Sequence, residues 1–242
     1  PRLPPSARPP RRRAGRGIRN AAAPRRRACP VRAPDRGILR EFRDLSDRQA
    51  ARRQLSLPQD KSLVGYAGML TTYGMEKGIA TALAALAFLD QNIELVLVGG
   101  QQKEILTYRA LAKKLGVENR ARFIGRVPHQ RVPLHLAAFD VLIAPFPKTT
   151  HYEFFMSPLK VFEYMAANRP MVVSDLPSLR EVLDERDCVF CQPGNAEDLA
   201  KKISECLHNE NLRGKIAQEA RRRVESFTWQ KRAYNILAFL KF

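Results

Sequence analysis

Gly68-Met69-Leu70-Thr71-Thr72-Tyr73-Gly74-Met75-Glu76-Lys77-Gly78 is a glycine-punctuated loop that delivers a lysine to the expected start of a helix. A cation there opposes the positive end of the helix dipole and is better tolerated with an anion between them, which is phosphate-binding chemistry; an exposed surface lysine fits the same residues. Val98-Gly99-Gly100 brings bare backbone close to whatever occupies the space beyond it, although a glycine pair is also a common turn signal. The most informative run is Ser157-Pro158-Leu159-Lys160-Val161-Phe162-Glu163-Tyr164-Met165-Ala166-Ala167-Asn168-Arg169-Pro170. Ser157 reads as an N-cap, Pro158 as the first helical position, and Asn168 as a left-handed residue closing the helix before Pro170. Glu163 lies between Phe162 and Tyr164 in an otherwise apolar helix. Its carboxylate can accept two hydrogen bonds from a ribose diol, or it is a solvated Glu on an exposed helix face.

These residues are spaced along an alternation of strands and helices that begins near residue 61. Ser62 to Gly68 reads as a buried strand, Glu76 to Leu89 as a helix, Ile93 to Val98 as a strand, and Gln101 to Leu115 as an amphipathic helix closed by Gly116. Arg120 to Ile124, Asp140 to Ala144, Pro170 to Ser174 and Cys188 to Cys191 read as further short strands with helical segments between them. Three helices follow, Ala196 to Leu207, Asn209 to Ser226 and Thr228 to Leu240. Near-continuous apolar strands separated by helices require a parallel sheet covered on both faces, so the expected fold class is α/β, a doubly wound, Rossmann-like parallel sheet. Ligands of such sheets bind outside the carboxyl ends of the strands, where the loops described above fall.

Composition narrows the functional classes. The chain has 242 residues with a formal net charge of +18. Eleven arginines fall within residues 1 to 32, ahead of the first acidic residue, Asp35, and the rest carries only +7. The charge therefore belongs to the amino-terminal stretch and is not a basic face of the folded part. Residues 1–34, rich in Arg and Pro with almost nothing large and apolar to bury, are expected to be a disordered extension, and residues 35–242 the folded domain. Arg clusters can engage nucleic acid or anionic lipid without folding, which defines the alternative function of an α/β carrier with a binding tail; a solvated extension is preferred, and no nucleic-acid partner is expected. The longest strongly apolar stretch, Ile79 to Leu89, is about half the roughly 20 residues a bilayer requires. Cys29, Cys188, Cys191 and Cys206 are too few and too irregular for a disulfide scaffold. Strand alternation would send Cys188 and Cys191 to opposite faces, so no metal site is expected, and reduced thiols fit a cytoplasmic protein, at most peripheral to a membrane.

Several motifs then converge: GYAG at 65–68, EKG at 76–78, LVLVGG at 95–100, FIGRVPH at 123–129, AAFDVLIAPFP at 137–147, SPLKVFEYMAANRPMVVSDLPSLREVL at 157–183 and FTWQKRA at 227–233. In this order they resemble the carboxy-terminal, nucleotide-sugar-binding domain of family-4 glycosyltransferases, the carboxy-terminal half of a glycosyltransferase B fold. The resemblance implies a retaining hexosyl transfer from a UDP- or GDP-sugar, with no metal or other cofactor. It implies that Lys77 binds the diphosphate, with Lys160 as a second positive charge, the two being the catalytic candidates. It further implies that Gly68, Gly99 and Gly100 approach the donor, that Arg126 and Val127 meet the nucleobase, that Ser157, Pro158 and Leu159 form the turn at the distal phosphate, and that Glu163 takes the ribose. Departure of the nucleoside diphosphate through an oxocarbenium-like state would be helped mainly by charge on the leaving group.

Two positions depart from the family pattern. Phe155 stands where the first Glu of the family's E-x7-E motif falls, with Glu153 two residues away, and Met69 stands where an Arg often follows the first-strand glycine. The chain is expected to be a truncated enzyme. The family's amino-terminal domain, which binds a saccharide, lipid-linked or small-molecule acceptor, has no counterpart in residues 1–34, and the interdomain face should be apolar. Nucleotide-sugar 2-epimerases share this fold, but the SPLKVFEYMA and FTW segments fit the transferases better.

Overall fold

The computed structural model describes residues 41, 42 and 45–240, so the extension over residues 1–34 lies outside the described residues. Helix α1 (Arg48–Gln54) leads into strand β1 (Ser62–Ala67), a small hairpin of β2 (Thr71–Thr72) and β3 (Met75–Glu76), and helix α2 (Ile79–Ala85). Strand β4 (Ile93–Val98), helix α3 (Gln102–Lys114), strand β5 (Ala121–Gly125), helix α4 (Val132–Ala137) and strand β6 (Val141–Ala144) follow. After them come helices α5 (Thr150–Phe154) and α6 (Leu159–Ala166), strand β7 (Met171–Ser174), helix α7 (Pro177–Arg180) and strand β8 (Val189–Cys191). Helices α8 (Ala196–His208), α9 (Glu210–Val224) and α10 (Trp229–Leu240) close the described chain.

Six strands form one parallel sheet in the order β5-β4-β1-β6-β7-β8. The order reverses direction at β1 and β6, which opens a crevice at the carboxyl ends of the strands. Alternate residues feed two cores. Leu63, Ala67, Val96, Val98, Leu142 and Val173 pack with α4, α6 and α9, whereas Val64, Tyr66, Leu95, Leu97, Ile143 and Val172 pack with α2, α3 and α8. Cys188 joins the first core and Cys191 the second, as the alternation of their strand requires. Both faces are thus covered, which explains why β1, β4, β6 and β7 are apolar at nearly every position.

Two expectations change at helix starts. The helix expected from Glu76 begins instead at Ile79, because Gly78 has φ +84° and breaks the backbone into a left-handed cap, while Met75 and Glu76 pair with Thr72 and Thr71. Helix α6 is capped by Pro158 and not by Ser157. Pro158 has ψ 69°, outside the helical region, and the Leu159 N–H that a serine cap could have taken donates to the Ser157 carbonyl at 2.9 Å. Asn168 does adopt the left-handed conformation, at φ 52°.

The amino edge of the sheet is pinned by Asp140. Its carboxylate accepts hydrogen bonds from Arg52 Nη2 at 2.5 Å, Arg48 Nη1 at 2.5 Å and the Leu63 N–H at 2.7 Å. Arg52 also donates to the carbonyls of Ala138 and Lys61. Helix α10 differs from the rest: residues 233–240 are exposed throughout, including Tyr234, Leu237, Phe239 and Leu240. Among the described residues no helix is long and apolar enough to cross a membrane.

His135 on α4 is buried, and its Nδ1 has no hydrogen-bond partner among the described residues. Burial, followed by the charge of Arg131, lowers its pKa to about 4. The unfolded chain takes up this proton near pH 6.5, so the stability present above about 6.5 is lost as the pH falls toward 4. The slope is about 1.4 kcal/mol per pH unit, or about 2 kcal/mol between about pH 6.5 and 5. Urea unfolding at the two pH values should show that difference, and a His135→Gln variant should lose it; an equal slope in both proteins would refute the assignment.

Candidate functional site

The floor of the crevice is backbone. The Gly68 N–H donates to the Val98 carbonyl at 2.9 Å and the Gly99 N–H to the Gly125 carbonyl at 2.7 Å, so the loops after β1, β4 and β5 are laced together. Gly99 has φ +118°, and a Cβ there would lie 2.1 Å from the Gly68 carbonyl oxygen. Only glycine permits that approach. Above this floor is a cleft of about 640 Å³ whose walls include Gly68, Met69, Gly99, Gly100, Arg126, Val127, His129 and Glu163.

Glu104, three residues past Gln101 and near the start of α3, fixes one wall. Its carboxylate accepts from the Gln101 N–H at 2.6 Å, from the Thr71 N–H at 3.1 Å and from the Thr71 hydroxyl. Burial pushes the Glu104 carboxyl up, but the bonds from Thr71 and Gln101 outweigh it and hold the group below the ordinary carboxylate value. The loop after β1 is thereby tied to the helix after β4. On the other wall, Tyr164 of α6 accepts the Ala67 N–H at 2.9 Å and donates to the Ala67 carbonyl at 3.2 Å, which holds α6 against the end of β1.

One turn before Tyr164, Lys160 extends beside Gly68, where a Cβ would come within 3.2 Å of its Nζ. The Nζ donates to the Tyr66 hydroxyl and lies 3.7 Å from the centre of the Tyr66 ring, and the hydroxyl in turn donates to the Met69 carbonyl at 2.6 Å. Burial and the charge of Lys77 push Lys160 well below the ordinary lysine range, partly opposed by Glu163. Lys77 sits between β3 and α2, half-buried, and burial pulls it down as well. It forms no hydrogen bond or ion pair among the described residues. Two desolvated lysines with no ion-paired carboxylate among the described residues form a charge arrangement that an anion between them would relieve.

Glu163 lies in the cleft wall, where burial raises its pKa while His129 and Lys160 draw it back down. Of the residues singled out in the sequence, Gly68, Gly99, Gly100, Arg126, Val127 and Glu163 line the cleft together. Lys160 stands against its Gly68 edge, within electrostatic reach of Lys77. Ser157, Pro158 and Leu159 are not in the lining: Ser157 and Leu159 are exposed, and Pro158 is buried at the α6 cap. Phe155 is exposed, and Glu153 pairs with Lys148 at 3.8 Å. Met69, Tyr73, Phe154, Phe155 and Leu159 are exposed large side chains on the loops and helices that follow β1 and β6. Sequence reading missed Glu104, Thr71, Tyr66 and His129. Glu104 was accessible through the spacing of a capping box, and His129 stood unassigned at the end of FIGRVPH.

Sheet order, glycine floor and carboxyl-edge cleft together define a Rossmann-like domain of the glycosyltransferase B kind, its carboxy-terminal half. The model of the family described as glycosyl transferases group 1 matches residues 47–223, and the chain belongs to that family. A D-inositol 3-phosphate glycosyltransferase of Xylanimonas cellulosilytica is 29% identical over 198 residues, covering 80% of this chain and 45% of the relative. The chain spans less than half the length of such curated relatives. Among solved structures, Anabaena Alr3699/HepE in complex with UDP and glucose superposes with a TM-score of 0.68 at 21% identity, over 81% of this chain and 51% of that one. The C-terminal domain of the group 1 family protein LpcC from Francisella tularensis gives 0.65 at 20% identity, over 80% of this chain and 97% of that one.

Proposed function

We propose that this chain is the donor-binding domain of a retaining hexosyltransferase of glycosyltransferase family 4, acting on a UDP- or GDP-sugar. The observation that carries the reading is the pair of half-buried, depressed lysines, Lys77 and Lys160, beside a glycine-floored cleft that also holds Glu163. The diphosphate lies against the lysines, Glu163 accepts the two ribose hydroxyls, and the base meets the backbone of Arg126 and Val127. As the bond to the anomeric carbon loosens, negative charge grows on the departing diphosphate and its attraction to Lys77 and Lys160 strengthens. Those two cations supply the charge that a metal would otherwise bring, so the reaction needs none. The acceptor, a saccharide, a lipid-linked group or a small molecule, is held by a further domain, as the family resemblance implies. That domain covers the exposed apolar rim of Phe154, Phe155 and Leu159.

Calorimetric titration tests the reading. Lys77→Ala should weaken UDP or GDP by about 10- to 100-fold, the worth of a hydrogen bond to a charged group, while uridine or guanosine changes less than about twofold. Absence of affinity for both diphosphates in the unaltered chain, or equal losses for nucleoside and diphosphate, would refute it.

A further inference from the structure

A buried tyrosine needs a partner for its hydroxyl, and Tyr66, fully buried near the carboxyl end of β1, has two. The hydroxyl donates its one proton to the Met69 carbonyl at 2.6 Å, which leaves its oxygen as an acceptor. What it accepts is an N–H of Lys160, delivered from α6 across 94 positions of sequence. The Lys160 Nζ also lies 3.7 Å from the centre of the Tyr66 ring and 5.1 Å from that of Phe146, at the exit of β6. One hydroxyl and two aromatic faces therefore hold the ammonium. Gly68 leaves room for it: a Cβ there would meet the Lys160 Cε and Nζ at 3.2 Å. A lysine has three N–H donors, and Tyr66 takes one; Lys160 makes no other hydrogen bond among the described residues.

We propose that Tyr66 is a positioning residue that holds the Lys160 ammonium at the Gly68 edge of the cleft, leaving its two remaining N–H groups for the diphosphate. The proposal rests on the reading of Lys160 as a diphosphate cation. Lysine is a point charge on a flexible stem, and an anion that must first order the stem binds more weakly than one that meets the charge in place. A phenylalanine at position 66 would fill the same space, so packing alone leaves the hydroxyl unexplained. With its proton committed to Met69, the hydroxyl cannot swing round to donate elsewhere, and its lone pair stays on Lys160. Met69 belongs to the loop that leads to Lys77, so the same bond ties both candidate cations to one loop. Holding that loop through the Met69 carbonyl is the competing role for the hydroxyl, and the two roles predict different binding.

Calorimetry with UDP and GDP, each beside its own nucleoside, tests the assignment in variants that thermal melts show to be folded. Lys160→Met should weaken the diphosphate by about 10- to 100-fold. Tyr66→Phe, which keeps the ring, should weaken it by about three- to tenfold, with nucleoside affinity changed less than about twofold. The double variant should bind within about twofold of Lys160→Met alone, because Tyr66 acts through that lysine. Tyr66→para-aminophenylalanine separates the two bonds of the hydroxyl: its N–H groups still serve the Met69 carbonyl, but its nitrogen is a poor acceptor. It should bind like Tyr66→Phe, and it carries the test should that variant fail to fold. Single losses that multiply in the double variant, equal losses of diphosphate and nucleoside in Tyr66→Phe, or an amino variant that binds the diphosphate like the unaltered chain overturn the positioning role. If Lys160→Met binds both diphosphates like the unaltered chain, the reading of Lys160 itself fails. If Lys160→Met is weak while Tyr66→Phe is unchanged, the role of Tyr66 alone fails.

Discussion

Asp140→Ala is expected to lower the stability of the domain by about 3–5 kcal/mol, the cost of removing one partner from a buried ion pair. The side chain left behind is Arg52, only 2% exposed, whose Nη2 bonds to Asp140 while its Nε and Nη1 are held by the Ala138 and Lys61 carbonyls. The guanidinium cannot turn to water without giving up those carbonyls. The Leu63 N–H loses its acceptor too, and it belongs to the first residues of the central strand. Urea unfolding measures the loss. A fall below about 1 kcal/mol, within the range of an exposed pair, would show that Arg52 is not trapped. The Arg52→Met/Asp140→Leu double variant should recover much of the stability, because it leaves no unpaired charge buried: Arg48, the other partner of Asp140, is 37% exposed and can turn to water. Since Asp140 lies at the amino edge of the sheet, nucleotide affinity of whatever remains folded should be unchanged.

Gly78→Ala is expected to damage fold and site together. The residue holds φ +84°, which costs an L side chain about 1–2 kcal/mol, and an added Cβ would fall 1.6 Å from the Pro145 carbonyl oxygen. That atom is backbone at the exit of β6, so relief requires the two loops to part; overpacking of this sort adds about 1–3 kcal/mol. Lys77 is the adjacent residue, and its ammonium would move with the loop. A loss of about 3 kcal/mol in stability, with UDP affinity weakened more than uridine affinity in protein that still folds, is the expected result. Stability unchanged within about 0.5 kcal/mol would mean that the loop relaxes freely.

What the sequence disclosed follows the range of the forces involved. The strands from Ser62, Ile93 and Met171 were readable because burial on both faces makes them apolar at nearly every position. Strand alternation placed Cys188 and Cys191 on opposite faces without any knowledge of their neighbours. Helix starts fared worse. At Ser157 two local rules, serine as cap and proline at the first turn, agreed with each other and were overruled by a tighter turn that used the same N–H. The small hairpin of Thr71–Thr72 and Met75–Glu76 carries too few residues for periodicity to register. In the site, glycine and cleft-facing carboxylate were legible as types, but their partners were not: Lys160 meets Tyr66 across 94 positions and Glu104 meets Thr71 across 33. Such pairings are settled by strand order, which no local pattern encodes.

The division of the sheet's two faces also gives the molecule a pair of internal chemical clocks. Cys188 lies in the layer beneath α6 and α9, and Cys191 and Cys206 in the layer beneath α3 and α8. All three are free and buried. Burial pushes the Cys191 and Cys206 thiols up to about 12 and Cys188 higher still, so none presents a reactive thiolate while its layer is closed. Alkylation is therefore gated by opening, and because the thiols are divided between the layers, the order in which peptides bearing Cys188 and Cys206 acquire the label at those residues records which side of the sheet comes away first.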